Sequence, residues 1–260
     1  MVTRDTRWPA GTPCWAEVRV DDVPKAIAFY QALCGWDIQA GGPETGGYAI
    51  AHRSDRIVAG ISPKFGPPDA PSAWLTYLAA DDADAVAEKI KAAGGQVAQG
   101  PLDVMEEGRM AIALDTTGAV FGLWQGGKTT GIGLADETGA LSWNEHVSWD
   151  FDAAKAFYRA VFGYQYQDVS GDGFRYAMLM VDGHEVGGIG QYVAGTPAVT
   201  PAAWSAYFAV DSTDAAVATV VGLGGSIVQP IRDSPYGRIG VVADNQGAVF
   251  SVITSPQPPG

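Results

Sequence analysis

Hydrophobic and polar positions along the chain follow one scheme that recurs four times. Residues 14–20 alternate apolar and polar as a half-buried strand does. Asp21 and Asp22 then offer an N-cap, and Pro24 stands in the first turn, where a missing N–H costs little. Ala26, Ile27, Phe29, Tyr30 and Leu33 fall at helical spacing, and Gly35 can close the helix. Strand-like GYAIAH (47–52) and RIVAGI (56–61) follow. The scheme restarts with WLTYLAA (74–80), the acidic cap DDAD (81–84), the helix AVAEKIKAA (85–93) and a stop at Gly94 and Gly95. Two strands, 109–114 and 119–124, complete it. The pattern is a βαβββ module read twice.

All of this is then repeated. A shift of 128 residues aligns CWAEV (14–18) with SWNEH (142–146), and AFYQALCGW (28–36) with AFYRAVFGY (156–164). At 130, AWLTYLAADDADAVA (73–87) meets AWSAYFAVDSTDAAVA (203–218); at 129, GRMAIALDTTGAVF (108–121) meets GRIGVVADNQGAVF (237–250). Long matches in one order with small indels mark a duplication. The expected organisation is α+β, with two homologous domains at 10–127 and 140–255. Residues 128–139, KTTGIGLADETG, have the composition of a linker.

Composition narrows the partners. Sixteen Lys and Arg against 29 Asp and Glu leave a net charge of −13. A surface of that sign repels nucleic acid and anionic membranes alike. With 47% hydrophobic and 17% charged residues the chain has material for a core. No apolar run is long enough for a membrane helix and the start lacks a signal-like stretch, so a cytoplasmic location is expected. Cys14 and Cys34 form no CxxC pair and are expected as small buried hydrophobes, the second because its counterpart is Phe162.

Text like VxDxxxAxxFYxxLxGW at 18–36 and 146–164, the strand–acid–helix–GG units at 74–95 and 204–225, and DxxGxxF at 115–121 and 244–250 carry a resemblance over nearly the whole chain. It resembles the vicinal oxygen chelate superfamily: glyoxalase I, bleomycin-resistance proteins and extradiol dioxygenases. WxE on the first strand of both copies is similar to a tandem-domain actinobacterial group labelled hydroxylase or glyoxalase-like. That resemblance implies two tandem glyoxalase-like domains, each a pair of βαβββ modules curled into a cup with helices outside. It also implies either one chain with paired domains or a homodimer.

Metal-dependent members of this superfamily take His and Glu ligands from the first and last strands of the modules. Here those registers hold Trp15 and Trp143, Leu75 and Ser205, and Gly122 and Ser251, none of which supplies an imidazole or carboxylate. The three histidines, His52, His146 and His184, have no His counterpart in the other copy. His146 lies an odd number of residues from Trp143 and should point to the opposite face. No metal and no cofactor are therefore expected.

The duplicated residues suggest what lines the cups instead. Trp15 and Glu17, and likewise Trp143 and Glu145, share one strand face. Trp74 and Trp204, Tyr48 and Tyr176, and Arg109 and Arg238 are also paired between the copies, and Tyr236 lies in the diverged loop SPYGR beside Arg238. These define the candidate ligand-binding set, an aromatic wall suited to a planar molecule. Glu17 and Glu145 are the candidate catalytic acids, or else ion-pair partners of Arg109 and Arg238. Tyr236 tilts the choice of working site towards the second domain. The expected function is metal-independent binding of a hydrophobic, aromatic small molecule, by sequestration or assisted conversion. The alternative is a glyoxalase-like lyase or a hydroxylase acting on an aldehyde or aromatic polyketide-type substrate.

Overall fold

The computed structural model describes residues 1–64 and 69–255. The strands of the first half are β1 (Val2–Thr3), β2 (Pro13–Val20), β3 (Asp37–Ala40), β4 (Ala49–Arg53), β5 (Arg56–Pro63), β6 (Ala73–Ala79), β7 (Gln96–Val104), β8 (Gly108–Leu114) and β9 (Val120–Gly126). Those of the second are β10 (Leu134–Ala135), β11 (Leu141–Ser148), β12 (Gln165–Asp168), β13 (Tyr176–Val181), β14 (His184–Gln191), β15 (Ala203–Ala209), β16 (Ser226–Ser234), β17 (Gly237–Ala243) and β18 (Val249–Thr254). Helices α1 (Val23–Cys34), α2 (Ala83–Ala92), α3 (Phe151–Phe162) and α4 (Thr213–Gly222) each follow the first strand of a module.

Each strand-to-helix corner is closed by the same chemistry. The side chains of Asp22, Asp82, Asp150 and Ser212 accept hydrogen bonds from the backbone N–H three residues on. That satisfies one of the free donors of a helix start. Gly35 and Gly163 end α1 and α3 with φ of 64° and 73°, a left-handed conformation that costs glycine nothing.

The four modules make two sheets of matching order, β3-β4-β5-β2-β6-β9-β8-β7 and β12-β13-β14-β11-β15-β18-β17-β16. In each, the first strands of the two modules run antiparallel at the centre, β2 against β6 and β11 against β15. The βαβββ reading thus holds for all four modules. The first strand after each helix, unmarked in the hydrophobic pattern, is polar and mostly exposed at a sheet edge.

The helix-bearing faces of the two sheets meet, and the contacts are reciprocal. Tyr30 of α1 donates to the carboxylate of Asp244 in the second half (2.8 Å), while Tyr158 of α3 donates to Asp115 in the first (2.9 Å). Trp74 Nε1 donates to Tyr30 and Trp204 Nε1 to Tyr158. Rings of Tyr30, Trp36, Trp74, Phe208 and Phe250 pack edge to face or tilted across this junction. Such geometry adds to the burial of apolar area.

The segment 128–139 is less free than its composition suggests. Ile132 and Leu134 are buried, Ile132 N–H donates to the Cys14 carbonyl, and β10 pairs with β1 and β11. Cys14 and Cys34 are buried free thiols; burial raises both, Cys34 to about 12.

Candidate functional site

The faces of the two sheets turned away from the junction carry the candidate site, and strand register decides which residues reach it. Opposed residues in an antiparallel ladder share a face. Trp15 faces Tyr77, and Glu17 faces Leu75. Trp74 faces Val18, on the other side, and is buried against Tyr30. Trp204 faces His146 and is buried against Tyr158. Both tryptophans were expected in the ligand wall; they belong to the core between the domains.

The two arginines are corrected by the same parity. Met110 opposes Trp124, so Arg109 points away from the cup. It forms ion pairs with Asp84 (2.7 Å) and Asp103 (2.8 Å), and Arg238 pairs likewise with Asp214 (2.7 Å) and Asp233 (2.9 Å). Both brace the start of a helix against a sheet edge, and the expected pairs with Glu17 and Glu145 do not form. Tyr236 is 56% exposed on the β16–β17 turn.

What remains on the cup face is a hydrogen-bonded network present in both copies. Trp15 Nε1 donates to the Tyr48 hydroxyl (3.0 Å), which donates to Glu17 Oε2 (3.1 Å); Tyr77 donates to Glu17 Oε1 (2.9 Å). In the second copy Trp143 Nε1 donates to Tyr176 (3.0 Å), Tyr176 to Glu145 Oε2 (3.0 Å), and Tyr207 to Glu145 Oε1. Burial, with the nearby carboxylate second, lifts the pKa of all four phenols far above the ordinary value. They therefore act as fixed donors to the glutamates.

Glycines make room for these rings. A Cβ on Gly60 would lie 1.9 Å from the Tyr48 hydroxyl, on Gly122 2.0 Å from the Tyr77 ring, and on Gly188 1.8 Å from the Tyr176 hydroxyl. Real Cβ atoms cannot approach that closely.

The copies differ in charge and in stacking. In the first, Arg19 lies two residues after Glu17 and pairs with it at 2.7 Å, leaving Glu17 only 5% exposed. The indole of Trp15 stacks on Trp124 with centroids 6.4 Å apart. In the second, position 147 is valine, Ile253 replaces Trp124, and Glu145 is half-buried with no ion pair among the described residues. Burial raises the pKa of Glu145; the hydroxyls of Tyr207 and Tyr176, and then the field of Arg232, oppose that rise. Arg19, Trp124 and Arg232 were not singled out from the sequence. For Arg19 the signal was present, because it shares the face of Glu17 at a spacing of two.

His146 faces the junction, as its odd spacing from Trp143 predicts, and is completely buried. Its Nε2 lies 2.9 Å from Asp115 Oδ2 and 3.3 Å from Thr117 Oγ1. Burial pushes the Asp115 carboxyl up, but hydrogen bonds and charge from His146, with hydrogen bonds from Thr117, hold it below the usual 3.8.

Residues 14–123 and 147–252 match the family model of the Glyoxalase/Bleomycin resistance protein/Dioxygenase superfamily. The chain belongs to that superfamily. It is 40% identical over 251 residues to "Putative glyoxylase CFP32" of Mycobacterium bovis, covering 94% of each chain. It is 32% identical over 262 residues to the anthracycline biosynthesis protein DauV of Streptomyces sp. (strain C5), covering 95% of this chain and 94% of that one. The Mn(II)-bound glyoxalase from Novosphingobium aromaticivorans shares the fold, with TM-score 0.66 at 16% identity over 94% of this chain and 82% of that one.

A divalent cation does not fit the residues that stand in the superfamily's ligand registers. Trp15, Leu75 and Gly122 offer no donor side chain, and the Tyr77 ring fills the space a carboxylate at 122 would need. Among the described residues no three His, Cys, Asp or Glu side chains come close enough to hold a metal. The nearest acid on each cup face, Glu17 or Glu145, already accepts at least two hydrogen bonds. Among the same residues no helix is long and apolar enough to cross a membrane.

Proposed function

We propose that this chain binds a hydrophobic, aromatic small molecule in its cups without a metal ion, sequestering it or assisting its conversion. The observation that carries the reading is the duplicated Trp–Tyr–Glu–Tyr network. It places one hydrogen-bonded carboxylate beside an indole on each cup face, where the metal ligands of the superfamily would otherwise stand. Aromatic walls with a few fixed polar groups bind planar molecules by stacking and orient them by hydrogen bonding. The relatives named for anthracycline biosynthesis accord with a fused-ring ligand. The net charge of −13 argues against nucleic acid as a partner, and we place the chain in the cytoplasm, as a single chain with paired domains.

The test combines metal analysis with titration of tryptophan fluorescence by quinizarin, a planar three-ring quinone. The expected result is saturable quenching by protein that carries no stoichiometric metal and is indifferent to chelators. Stoichiometric manganese, zinc, nickel or iron, with quenching lost on chelation, would overturn it.

A second reading, turnover of the ligand by a glyoxalase-like lyase or a hydroxylase, is favoured by the raised pKa of Glu145. A carboxylate so placed is a stronger base than one in water and can take a proton from an acidic C–H or O–H of a bound molecule. Turnover that survives Glu145→Gln and Glu17→Gln would remove those residues from any such role.

A further inference from the structure

We propose that the C-terminal cup alone is the ligand site, and that it selects a planar aromatic anion, with Trp143 as the stacking surface and Arg232 as the group that holds the anionic oxygen. This rests on the reading of the cups as aromatic-binding sites and assigns the working copy and the ligand's charge. Arg232 on β16 opposes Ile239 on β17, and Ile239 opposes Ile253 on β18. Ile239 and Ile253 cluster with Tyr207 and pack against Trp143. Arg232 is therefore on the cup face of the same sheet as Glu145. It is exposed, bonds only the side chain of Gln229 (3.1 Å), and makes no ion pair among the described residues.

The equivalent of Arg232 in the first copy is Leu102. Leu102 opposes Met110 as Arg232 opposes Ile239, and the following pairs, Asp103 with Arg109 and Asp233 with Arg238, also match. The intervening turn is one residue shorter in the second copy, Pro235 and Tyr236 against Met105, Glu106 and Glu107. Each cup face thus carries an arginine, Arg19 or Arg232, in a different place. In the first, Arg19 is consumed by Glu17 at 2.7 Å and the Trp15 indole is covered by Trp124. In the second, the cation stands at the edge strand with no ion pair among the described residues, its field reaching Glu145, and Trp143 makes no ring contact among them. A guanidinium without an ion pair, on the same cup face as a half-buried indole, recognises an anion on a flat ring system.

Alizarin, a planar quinone with an ionised hydroxyl at mildly alkaline pH, and its neutral 2-methyl ether are the probes, titrated by equilibrium dialysis into the full chain. Alizarin is expected to bind about tenfold tighter than the ether, the scale of one charge-assisted hydrogen bond. Arg232→Gln should erase that preference, Trp143→Leu should weaken both probes, and Arg19→Gln should leave both unchanged. Arg232 is exposed, so its variant keeps the fold, and an unchanged melting curve verifies this. Equal affinities for the two probes, with Arg232→Gln inert, would overturn the charge assignment while the aromatic reading stands. Loss of binding in the Arg19 variant but not at 143 or 232 would overturn the choice of cup. Failure of both probes to bind the unaltered chain would overturn this proposal and the aromatic reading together.

Discussion

Replacing His146 by valine tests how the junction between the domains is held. Asp115 Oδ1 accepts from the Thr117 N–H and hydroxyl (both 2.7 Å) and the Ala119 N–H (3.0 Å). Its Oδ2 accepts from Tyr158 (2.9 Å) and lies 2.9 Å from His146. A carboxylate only accepts, so the imidazole proton of that contact sits on Nε2. The matching carboxylate, Asp244, manages with the Gln246 N–H (2.8 Å), the Ala248 N–H (2.9 Å) and Tyr30 (2.8 Å), opposite Val18. His146→Val therefore leaves Asp115 no worse satisfied than its twin. The loss is one hydrogen bond to a charged group, about 2 kcal/mol, below the 3–5 kcal/mol or so of a stranded buried charge. For a chain of this size that lowers the melting temperature by roughly 4–8 °C. The assay is thermal and urea unfolding of the parent, His146→Val, Asp115→Asn and the double variant, followed by circular dichroism and by fluorescence. The expected coupling energy is about 1.5–3 kcal/mol. The sign with pH follows. The folded-state pKa of Asp115 is depressed, so its contribution is full above the unfolded value near 3.8 and is lost as pH falls through the lower folded value. His146→Val should flatten that acid limb. A variant as stable as the parent, or a coupling below about 0.5 kcal/mol, refutes the argument.

The two glutamates should respond oppositely to neutralisation. Glu145→Gln removes a charge that burial disfavours, and because the folded pKa is raised its cost is felt as pH rises through that pKa, so the variant should melt higher than the parent at neutral pH. Glu17→Gln removes the carboxylate of the Arg19 ion pair and should cost about 1.5–3 kcal/mol, read by the same melts. Gly122→Ala should destabilise by about 1–3 kcal/mol, because its Cβ would lie 2.0 Å from the Tyr77 ring, and Gly188→Ala should break the Tyr176–Glu145 bond and weaken quinone binding in the dialysis assay.

Residue spacing made the four modules legible, because caps, helical stripes and glycine stops recur in each. The strands β3, β7, β12 and β16 were not, since an exposed edge strand has no buried face to impose alternation. The face of each residue along one strand was also legible. Counting by two from Glu17 gives Arg19, and counting from Tyr77 excludes Trp74. Partners across strands were not. That Tyr48 and Tyr77 reach Glu17 from 31 and 60 residues away depends on register, and that Asp115 receives His146 depends on how the two sheets stack.

The duplication itself explains why the junction kept more of its symmetry than the cup faces, which share the Trp–Tyr–Glu–Tyr network but not its surroundings. At the junction the main contacts have their mirror: Tyr30 with Asp244 and Tyr158 with Asp115, Trp74 on Tyr30 and Trp204 on Tyr158. A change on one side is felt at once by the opposite domain, as dense packing transmits strain. Departures such as His146 in place of Val18, and Thr76 with Asn144 in place of Ala206 and Ala16, add bonds across the junction. The cup faces point away from each other and share no such contact. There the arginine stands at 19 in one copy and at 232 in the other, and the indole at 124 gives way to Ile253. Each change is local to its own sheet, so one cup could close over its own ion pair while the other stayed open to a ligand. A fold built from two equivalent halves thereby ties stability to both, while each cup face changes alone.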